Sequence, residues 1–266
     1  MVDMKMPDPL QILSSHRSVR KYKDQPIPED ILDKILTSAR QAPTSANLQA
    51  YSIIVVKDKA KKKTLAHLCG EQPWVETCPV FLAICPDLHR LQKVCEIRGY
   101  EPNDRYMEIF IVAVVDAALV AQNIVVGAEA SGLGICMIGG IRNNPDQVSE
   151  LLKLPQKVFP LMGMCMGYPD HDPMIKPRLP GNVVIHRENY DDDNFDKLLT
   201  EYDNIIKATG LYEGPRRKVP SPDGREIPDD DYSWSEHTSR RMASQNPATL
   251  RSHMKRFLLE RGFRME

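Results

Sequence analysis

The feature that most limits what this 266-residue chain can fold into is its longest apolar run, residues 109–130. Two acids, Asp116 and Glu129, and two amides interrupt the run, whereas a membrane span needs about twenty nearly uncharged residues. Alanines recur along it, and their small side chains allow a second helix to approach closely. The run therefore predicts a helix buried on nearly all sides, either in a core or between two subunits, and not a membrane span.

Composition narrows the class of protein further. Apolar residues make up 42% and charged residues 27%, as in ordinary globular enzymes. A formal net charge of −1 argues against a nucleic-acid or membrane-surface partner, so any anion site must be local. The first ten residues lack the apolar core of an export signal. The six cysteines form no CxxC pair and mostly lie in apolar runs, which predicts buried, reduced thiols and a cytoplasmic location.

Short apolar runs alternate with helical patterns in the first two thirds of the chain, which indicates α/β layers around one sheet. We expect strands, each bounded by polar or turn residues, at 52–56, 80–85, 135–138 and 161–168. We expect helices at 10–15, 28–39, 64–68, 109–130 and 145–152, and a glycine end to the long helix near Gly132. Residues 90–105 are polar and irregular, so we expect them to cross the surface without regular structure.

From about His186 onward the composition changes to charged runs, with acids at 191–193 and 229–231 and bases at 216–218. Few apolar residues intervene before 250–259, so this segment is not expected to form a core of its own. We expect a tail that lies across the body of the protein or across a neighbouring subunit.

Two compact basic clusters are candidates for an anion site. In residues 16–20, His-Arg-Ser-Val-Arg, two guanidiniums, an imidazole and a hydroxyl can all serve one anion, and the planar guanidinium fork matches phosphate oxygens. In an extended stretch His16, Ser18 and Arg20 would point the same way. The second cluster is Lys176-Pro177-Arg178. Either cluster alone is compatible with a solvated surface loop, and the two together favour a shared phosphate-like target.

Other motifs exclude several chemistries. Gly132, Gly134 and the pair Gly139-Gly140 follow a helix with the wrong spacing for a Rossmann turn, although their backbone still allows close approach of a flat ligand. GxSxG and HExxH are absent, and six scattered histidines lack metal-ligand spacing. We therefore predict no metal site and name no obligatory catalytic side chain.

Taken in order, the motifs form a recognisable series. They are H-R-S-V-R, P-I-P-E-D, S-A-R-Q-A-P-T-S-A-N-L-Q, G-E-Q, G-L-G-I-C-M-I-G-G-I-R-N-N, L-L-K-L-P, M-G-Y-P and K-P-R-L-P. From about residue 10 to 188 this combination resembles the FMN-dependent nitroreductases, in particular the branch with oxygen-insensitive NADPH nitroreductase and NADPH flavin reductase. The resemblance implies an α+β, nitroreductase-like fold with a central mixed or antiparallel sheet flanked by helices, an extended C-terminal tail and a homodimer.

The resemblance also implies a division of the chain and a set of cofactor contacts. Residues 1–188 would form the FMN-binding core, and 189–266 an extension that packs on the core or on the partner subunit. The residues implied to bind FMN are His16, Arg17, Ser18 and Arg20 at the phosphate and ribityl chain, Lys176 and Arg178 at the phosphate, Thr44, Ser45, Asn47 and Gln49 on a loop reaching the flavin of the partner subunit, and Gln72, Ile138, Gly139 and Gly140 beside the ring.

The electron donor would be NADPH or NADH. Relatives in this branch have a shorter stretch before Trp234 that supplies an arginine to the 2′-phosphate of NADPH. Here Arg216, Arg217 or Arg225 would take that part, or none of them, so the sequence leaves the choice between the two nicotinamide cofactors open.

Three functions compete. The first is an FMN-dependent NAD(P)H oxidoreductase with ping-pong hydride transfer to a small-molecule acceptor such as a nitroaromatic, a quinone or a free flavin. The second is a flavin-binding sensor with little turnover. The third, a phosphosugar or nucleotide transferase, would need a metal-binding acidic pair, and Asp170 with Asp172 is the only nearby candidate. The resemblance favours the oxidoreductase.

Overall fold

The computed structural model describes residues 8–214, 218–264 and 266. The chain divides into two compact units, of which the first comprises the residues up to Ile175 together with His253–Glu266. The second comprises Lys176–Ser252. The predicted boundary at residue 188, which follows the extent of the resemblance, stays a prediction.

The first unit contains a four-stranded sheet whose strands match the four predicted apolar runs. They are β1 (Tyr51–Val56), β2 (Val80–Pro86), β3 (Gly134–Ile138) and β4 (Met162–Gly167). Their order in the sheet is β1-β2-β4-β3, and all three pairings are antiparallel. Every residue of the interior strand β2 is buried, which explains its unbroken apolar sequence.

Helices cover both faces of this sheet. Those of the first unit are α1 (Pro9–Ser14), α2 (Glu29–Ala39), α3 (Lys59–Leu68), α4 (Pro73–Thr77), α5 (His89–Arg98), α6 (Met107–Ala130), α7 (Pro145–Leu151) and α12 (Met254–Glu260). Leu82 and Ile84 of β2 pack in one core with α2 and α6. Phe81 and Ala83, which point to the other face because side chains alternate along a strand, pack in a second core with α3, α4 and α7.

The long helix α6 confirms the helix predicted at 109–130 and its glycine end, whereas its burial on nearly all sides stays a prediction, because one side of α6 is exposed in the single chain. Gly132 adopts φ +74°, and the amide of Leu133 donates to the carbonyl of Ala128 at 3.0 Å, a C-terminal arrangement that favours glycine. By length and composition alone α6 would also suffice to cross a membrane. Its alanine-rich side instead contributes to the core, whereas Ile111 and Val115 remain 47% and 46% exposed in the single chain.

The expectation of irregular structure at 90–105 is wrong, because His89–Arg98 form helix α5. The Oδ1 of Asp87 accepts from the amide of Arg90 at 3.0 Å and so caps the first turn, and Gly99 ends the helix at φ +74°. None of its residues is fully buried. A helix without a buried face lacks the apolar periodicity by which helices are recognised in a sequence.

The second unit contains α8 (Gly181–Val184), α9 (Phe195–Ala208), α10 (Trp234–Met242) and α11 (Pro247–Leu250). Tyr202, Ile206 and Tyr232 are buried. The ring of His237 stacks on Tyr212 with 4.4 Å between centroids, and its Nδ1 lies 3.1 Å from the hydroxyl of Tyr232. Aromatic side chains thus form a small cluster in this segment, where aliphatic runs are missing.

Candidate functional site

The first basic cluster lies on an extended segment that pairs with one edge of the sheet. The amide of Val19 donates to the carbonyl of Ile135 at 2.8 Å, and the amide of Lys23 donates to that of Tyr168 at 2.9 Å. Val19 is only 2% exposed and fills the space beside Gly134, where a Cβ would overlap it. Since side chains alternate along extended backbone, the burial of Val19 directs its neighbours Ser18 and Arg20 to the opposite side.

The three basic side chains of this segment each have a protein neighbour. Nδ1 of His16 lies 2.6 Å from Oε1 of Glu129, and Nη1 of Arg17 lies 2.5 Å from Oδ1 of Asp172. The guanidinium of Arg20 lies 5.6 Å from the centroid of the Trp74 ring, within the range of a cation–π contact. Arg17 and Asp172 are exposed, so an anionic ligand can replace this weak surface pair at little cost.

The structure brings together Gln72 and the glycine pair that follows β3. A Cβ at Gly140 would overlap the carbonyl oxygen of Cys69 and the amide nitrogen of Gln72. That same nitrogen donates to the Cys69 carbonyl at 2.7 Å. A Cβ at Gly139 would have the Nη2 of Arg142 as its nearest neighbour, at 3.6 Å. Packing against the protein therefore requires glycine at 140, whereas a Cβ at Gly139 would make only an ordinary contact.

Cys69, whose carbonyl oxygen packs against Gly140, is not suited to be a nucleophile. Burial raises the pKa of its thiol to about 12, so the thiol stays protonated at neutral pH. Burial raises the pKa of Cys85 as well. All six cysteines are free and all but Cys95 are buried, which confirms the predicted buried thiols.

The predicted flavin loop, which contains Thr44, Ser45, Asn47 and Gln49, is a strained turn on the surface of the first unit. Residues Ser45–Asn47 form a short 3₁₀ turn, and Ala46, Asn47 and Gln49 all have positive φ angles of 47°, 59° and 53°. The side-chain amide of Gln49 donates to Oδ1 of Asn47 at 3.2 Å. Ser45, Asn47 and Gln49 are exposed and Thr44 is half-buried, so most of this loop is accessible to a ligand.

Sequence reasoning missed the residue that fixes this loop. Asp116 of α6 is fully buried, and its carboxylate accepts hydrogen bonds from the backbone amides of Ser45 and Ala50, both at 3.0 Å. In the sequence Asp116 only marks an interruption of the apolar run. The signal that would have identified it is a lone carboxylate in the middle of a buried helix, since such a group must find hydrogen-bond donors.

The second basic cluster belongs to the second unit. The guanidinium of Arg178 donates to the carbonyl of Lys176 at 3.0 Å, and the hydroxyl of Tyr202 donates to the carbonyl of Pro177 at 3.1 Å. Both basic side chains are exposed. Their share in a phosphate site stays a prediction.

Of the three arginines that the resemblance assigns to NADPH, the structure describes one, Arg225. Arg216 and Arg217 lie outside the described residues. Arg225 is exposed, and its Nη2 lies 3.5 Å from Oδ2 of Asp223. No group of three or more His, Cys, Asp or Glu side chains suited to a metal occurs within residues 8–214 and 218–264.

An antiparallel sheet between helical layers, with a basic segment paired to its edge strand, defines an α+β protein. The family model described as "Nitroreductase family" matches residues 13–168, and "Nitroreductase family, C-terminal domain" matches residues 176–266. The chain belongs to the nitroreductase family, which confirms the predicted family and fold class.

Individual relatives support the same assignment. The chain is 42% identical to FMN reductase (NADPH) of Bacillus subtilis over 76% of its length and 82% of the relative's. It is 35% identical to oxygen-insensitive NADPH nitroreductase of Salmonella typhimurium over 89% and 92% of the two chains. The solved structure of B. megaterium NfrA2 superposes with a TM-score of 0.86 at 34% identity, covering 98% of this chain and all of that one.

Proposed function

We propose that the protein is an FMN-dependent NAD(P)H oxidoreductase of the nitroreductase and flavin reductase type. The observation that carries the proposal is the segment 16–20, which backbone pairing to β3 fixes with Ser18 and Arg20 turned away from the core. The relatives named FMN reductase and NADPH nitroreductase support the same activity. No observation favours the sensor or the transferase over it.

The donor set fits FMN. This cofactor has one terminal phosphate and no adenylate, so a cradle of Arg17, Ser18 and Arg20 suffices without a glycine-rich dinucleotide turn. His16 adds a further polar contact through Nε2, since its Nδ1 faces Glu129. When bound, the flavin supplies the hydride and electron chemistry, and the protein binds and orients it. This division of labour explains why no acid–base pair or activated nucleophile stands out in the sequence.

Further contacts are part of the proposal. Lys176 and Arg178 would add two cations for the phosphate. Gln72, Ile138, Gly139 and Gly140 would lie beside the ring system, where the backbone permits close approach of a planar group. The side chains of Thr44, Ser45, Asn47 and Gln49 would contact the flavin of a partner subunit.

We further propose a homodimer. Ile111, Val115 and Leu119 are spaced four residues apart on α6 and are 47%, 46% and 37% exposed in the single chain. A contiguous apolar row on a central helix is typical of a surface that a second subunit covers. A cytoplasmic location accords with six free thiols. The acceptor is proposed to be a small molecule, with neither nucleic acid nor membrane as partner.

The visible spectrum of the purified protein tests the function. We expect a yellow protein that releases FMN, and not FAD, on denaturation and whose flavin bleaches when NADPH or NADH is added without oxygen. Flavin that binds but is not reduced by either donor would support the sensor. Protein that stays colourless after incubation with FMN would exclude both flavin functions.

A further inference from the structure

The buried carboxylate of Asp116 binds both ends of the loop that contains Ser45, Asn47 and Gln49. This side chain lies in α6 with no exposed surface, and both of its oxygens are used: Oδ1 by the amide of Ser45 and Oδ2 by that of Ala50, each at 3.0 Å. Among the described residues no Lys, Arg or His lies within ion-pair distance of it. A buried carboxylate without a cation depends on its hydrogen bonds for stabilisation, so the two amides are tightly specified.

The segment between those amides has an unfavourable backbone. Ala46, Asn47 and Gln49 all adopt left-handed conformations, in which the side chain of an L-residue crowds its own backbone. Strained backbone persists only where the surroundings fix it from several sides. The carboxylate of Asp116 accepts hydrogen bonds from the first and last residues of the segment, Ser45 and Ala50. It therefore closes the turn in which the left-handed residues lie.

Arg90 provides a second attachment. Its Nη1 donates to the carbonyls of Gln49 and Tyr51 at 3.1 and 3.0 Å, and its Nη2 donates to Oδ2 of Asp87 at 3.0 Å. Asp87 is 5% exposed and also lies 2.5 Å from the hydroxyl oxygen of Ser52. The backbone of the loop is thus held by an anion from α6 and a cation from α5, while the side chains of Ser45, Asn47 and Gln49 stay exposed.

We infer that Asp116 is a positioning residue for the bound flavin, acting through the backbone of residues 45–50, with Arg90 as its counterpart. The inference rests on the proposed function, because Ser45, Asn47 and Gln49 are the side chains proposed to contact FMN. Asp116 itself touches neither the cofactor nor a reacting atom in this scheme. Its hydrogen bonds to the loop backbone fix the positions of the three side chains proposed to contact FMN.

The test compares Asp116→Asn and Asp116→Ala with the wild type as full-length protein. The amide of Asn keeps one acceptor and turns a donor toward the other backbone amide, whereas Ala removes both acceptors. We expect the Kd for FMN to rise about tenfold for Asn and up to about a hundredfold for Ala, in line with unsatisfied buried donors. At saturating FMN the midpoint potential of the bound flavin should also shift, which a loss of stability alone would not cause.

Asp104→Asn is the matched control. Asp104 is a part-buried carboxylate of the same unit that pairs with Lys157 and does not contact the loop. It should lower the melting temperature without changing the FMN Kd or the potential. If the Asp116 variants do not fold, Arg90→Lys replaces them, because Arg90 is half exposed and lysine cannot donate to both carbonyls.

The outcomes separate the inference from the proposed function. Wild-type protein that fails to bind FMN would refute the function itself. Wild-type protein that binds FMN, together with folded Asp116 or Arg90 variants of unchanged Kd and unchanged potential, would overturn the inference alone. A higher Kd and a shifted potential in those variants, with Asp104→Asn unaffected in both, would support it.

Discussion

Glu129 lies near the C-terminal end of α6 and fixes the imidazole of His16, the first residue of the basic segment 16–20. Oε1 of Glu129 lies 2.6 Å from Nδ1 of His16. Both side chains are largely buried, at 16% and 29% exposure, so the contact is shielded from solvent. A carboxylate at Nδ1 selects the tautomer with its proton there and orients the ring. Nε2 of His16 is then the nitrogen left for a ligand.

The first prediction is that Glu129→Ala weakens FMN binding about three- to tenfold, the loss expected when one hydrogen bond that orients a ligand contact is removed. Fluorescence titration of the apoprotein with FMN measures the change. Glu108→Ala, an exposed carboxylate at the other end of the same helix, is the control and should leave the affinity alone. If both variants bind FMN as tightly as the wild type, the orientation of His16 by Glu129 does not contribute to FMN binding.

The second prediction concerns Arg20. Arg20→Ala should raise the Kd for FMN about ten- to hundredfold, because a charge-assisted hydrogen bond to phosphate is lost. Arg256→Ala removes an exposed arginine that pairs with Glu260 on α12 and serves as the control. An unchanged Kd for Arg20→Ala would mean that this guanidinium is only solvated.

The third prediction separates the two adjacent glycines. Gly140→Ala should cost about 1–3 kcal/mol of unfolding free energy, because its methyl group would collide with the backbone oxygen of Cys69. Gly139→Ala meets only the end of a flexible arginine at 3.6 Å and should change stability by about 0.5 kcal/mol or less. Urea unfolding measures both. FMN affinity should fall in Gly139→Ala if this glycine lies against the flavin.

The fourth prediction is a pH dependence in the second unit. Burial, and next the charge of Arg241, lower the pKa of His237 below its usual 6.5. The folded state therefore binds this proton less readily than the unfolded state, so stability is retained above pH 6.5 and is lost as pH falls through that value toward the folded pKa. His237→Gln should flatten the decline in melting temperature between about pH 7.5 and about pH 5.5.

His171→Gln, at an exposed histidine of the first unit, is the control for that measurement. It should keep the wild-type pH profile. If His237→Gln declines with pH as steeply as the wild type, another group titrates in this range.

The fifth prediction tests the NADPH contact. Replacing Arg216, Arg217 or Arg225 with Ala should lower kcat/KM for NADPH about ten- to hundredfold and leave the NADH value unchanged, because only NADPH has the 2′-phosphate. Lys197→Ala, an exposed cation on α9, is the control. If all three arginine variants keep the wild-type ratio of the two donors, the charged run of the second unit is a solvated surface.

How far the sequence predicts the fold depends on which side chains are buried. The strands and α6 were predictable because each contributes side chains to a core, and burial leaves an apolar pattern. Helix α5 was not, because none of its residues is fully buried. The cluster around Tyr212, Tyr232 and His237 was also missed, since isolated aromatic residues in a charged segment form no periodic pattern.

The candidate site shows the same limit. The chemistry of residues 16–20 was visible in the sequence as a concentration of donors. Their attachment was not, because backbone hydrogen bonds from Val19 to Ile135 leave no mark on side-chain composition. Asp116 escaped notice because its partners lie 71 and 66 positions away. The need for glycine at 140 was not visible either, because the carbonyl of Cys69 and the side chain of Gln72 that would meet a Cβ there come from a distant part of the sequence.

The attachment of the basic segment has a consequence for biosynthesis. Residues 16–20 leave the ribosome early, but Glu129 follows His16 by 113 positions and Ile135 comes later still. Contacts of such long sequence separation form late, after the chain between them has been made and collapsed. In a nascent chain the basic side chains of residues 16–20 are therefore present long before Glu129 and Ile135 can position them. Under the proposed function, FMN binds at these residues only after β3 has been synthesised.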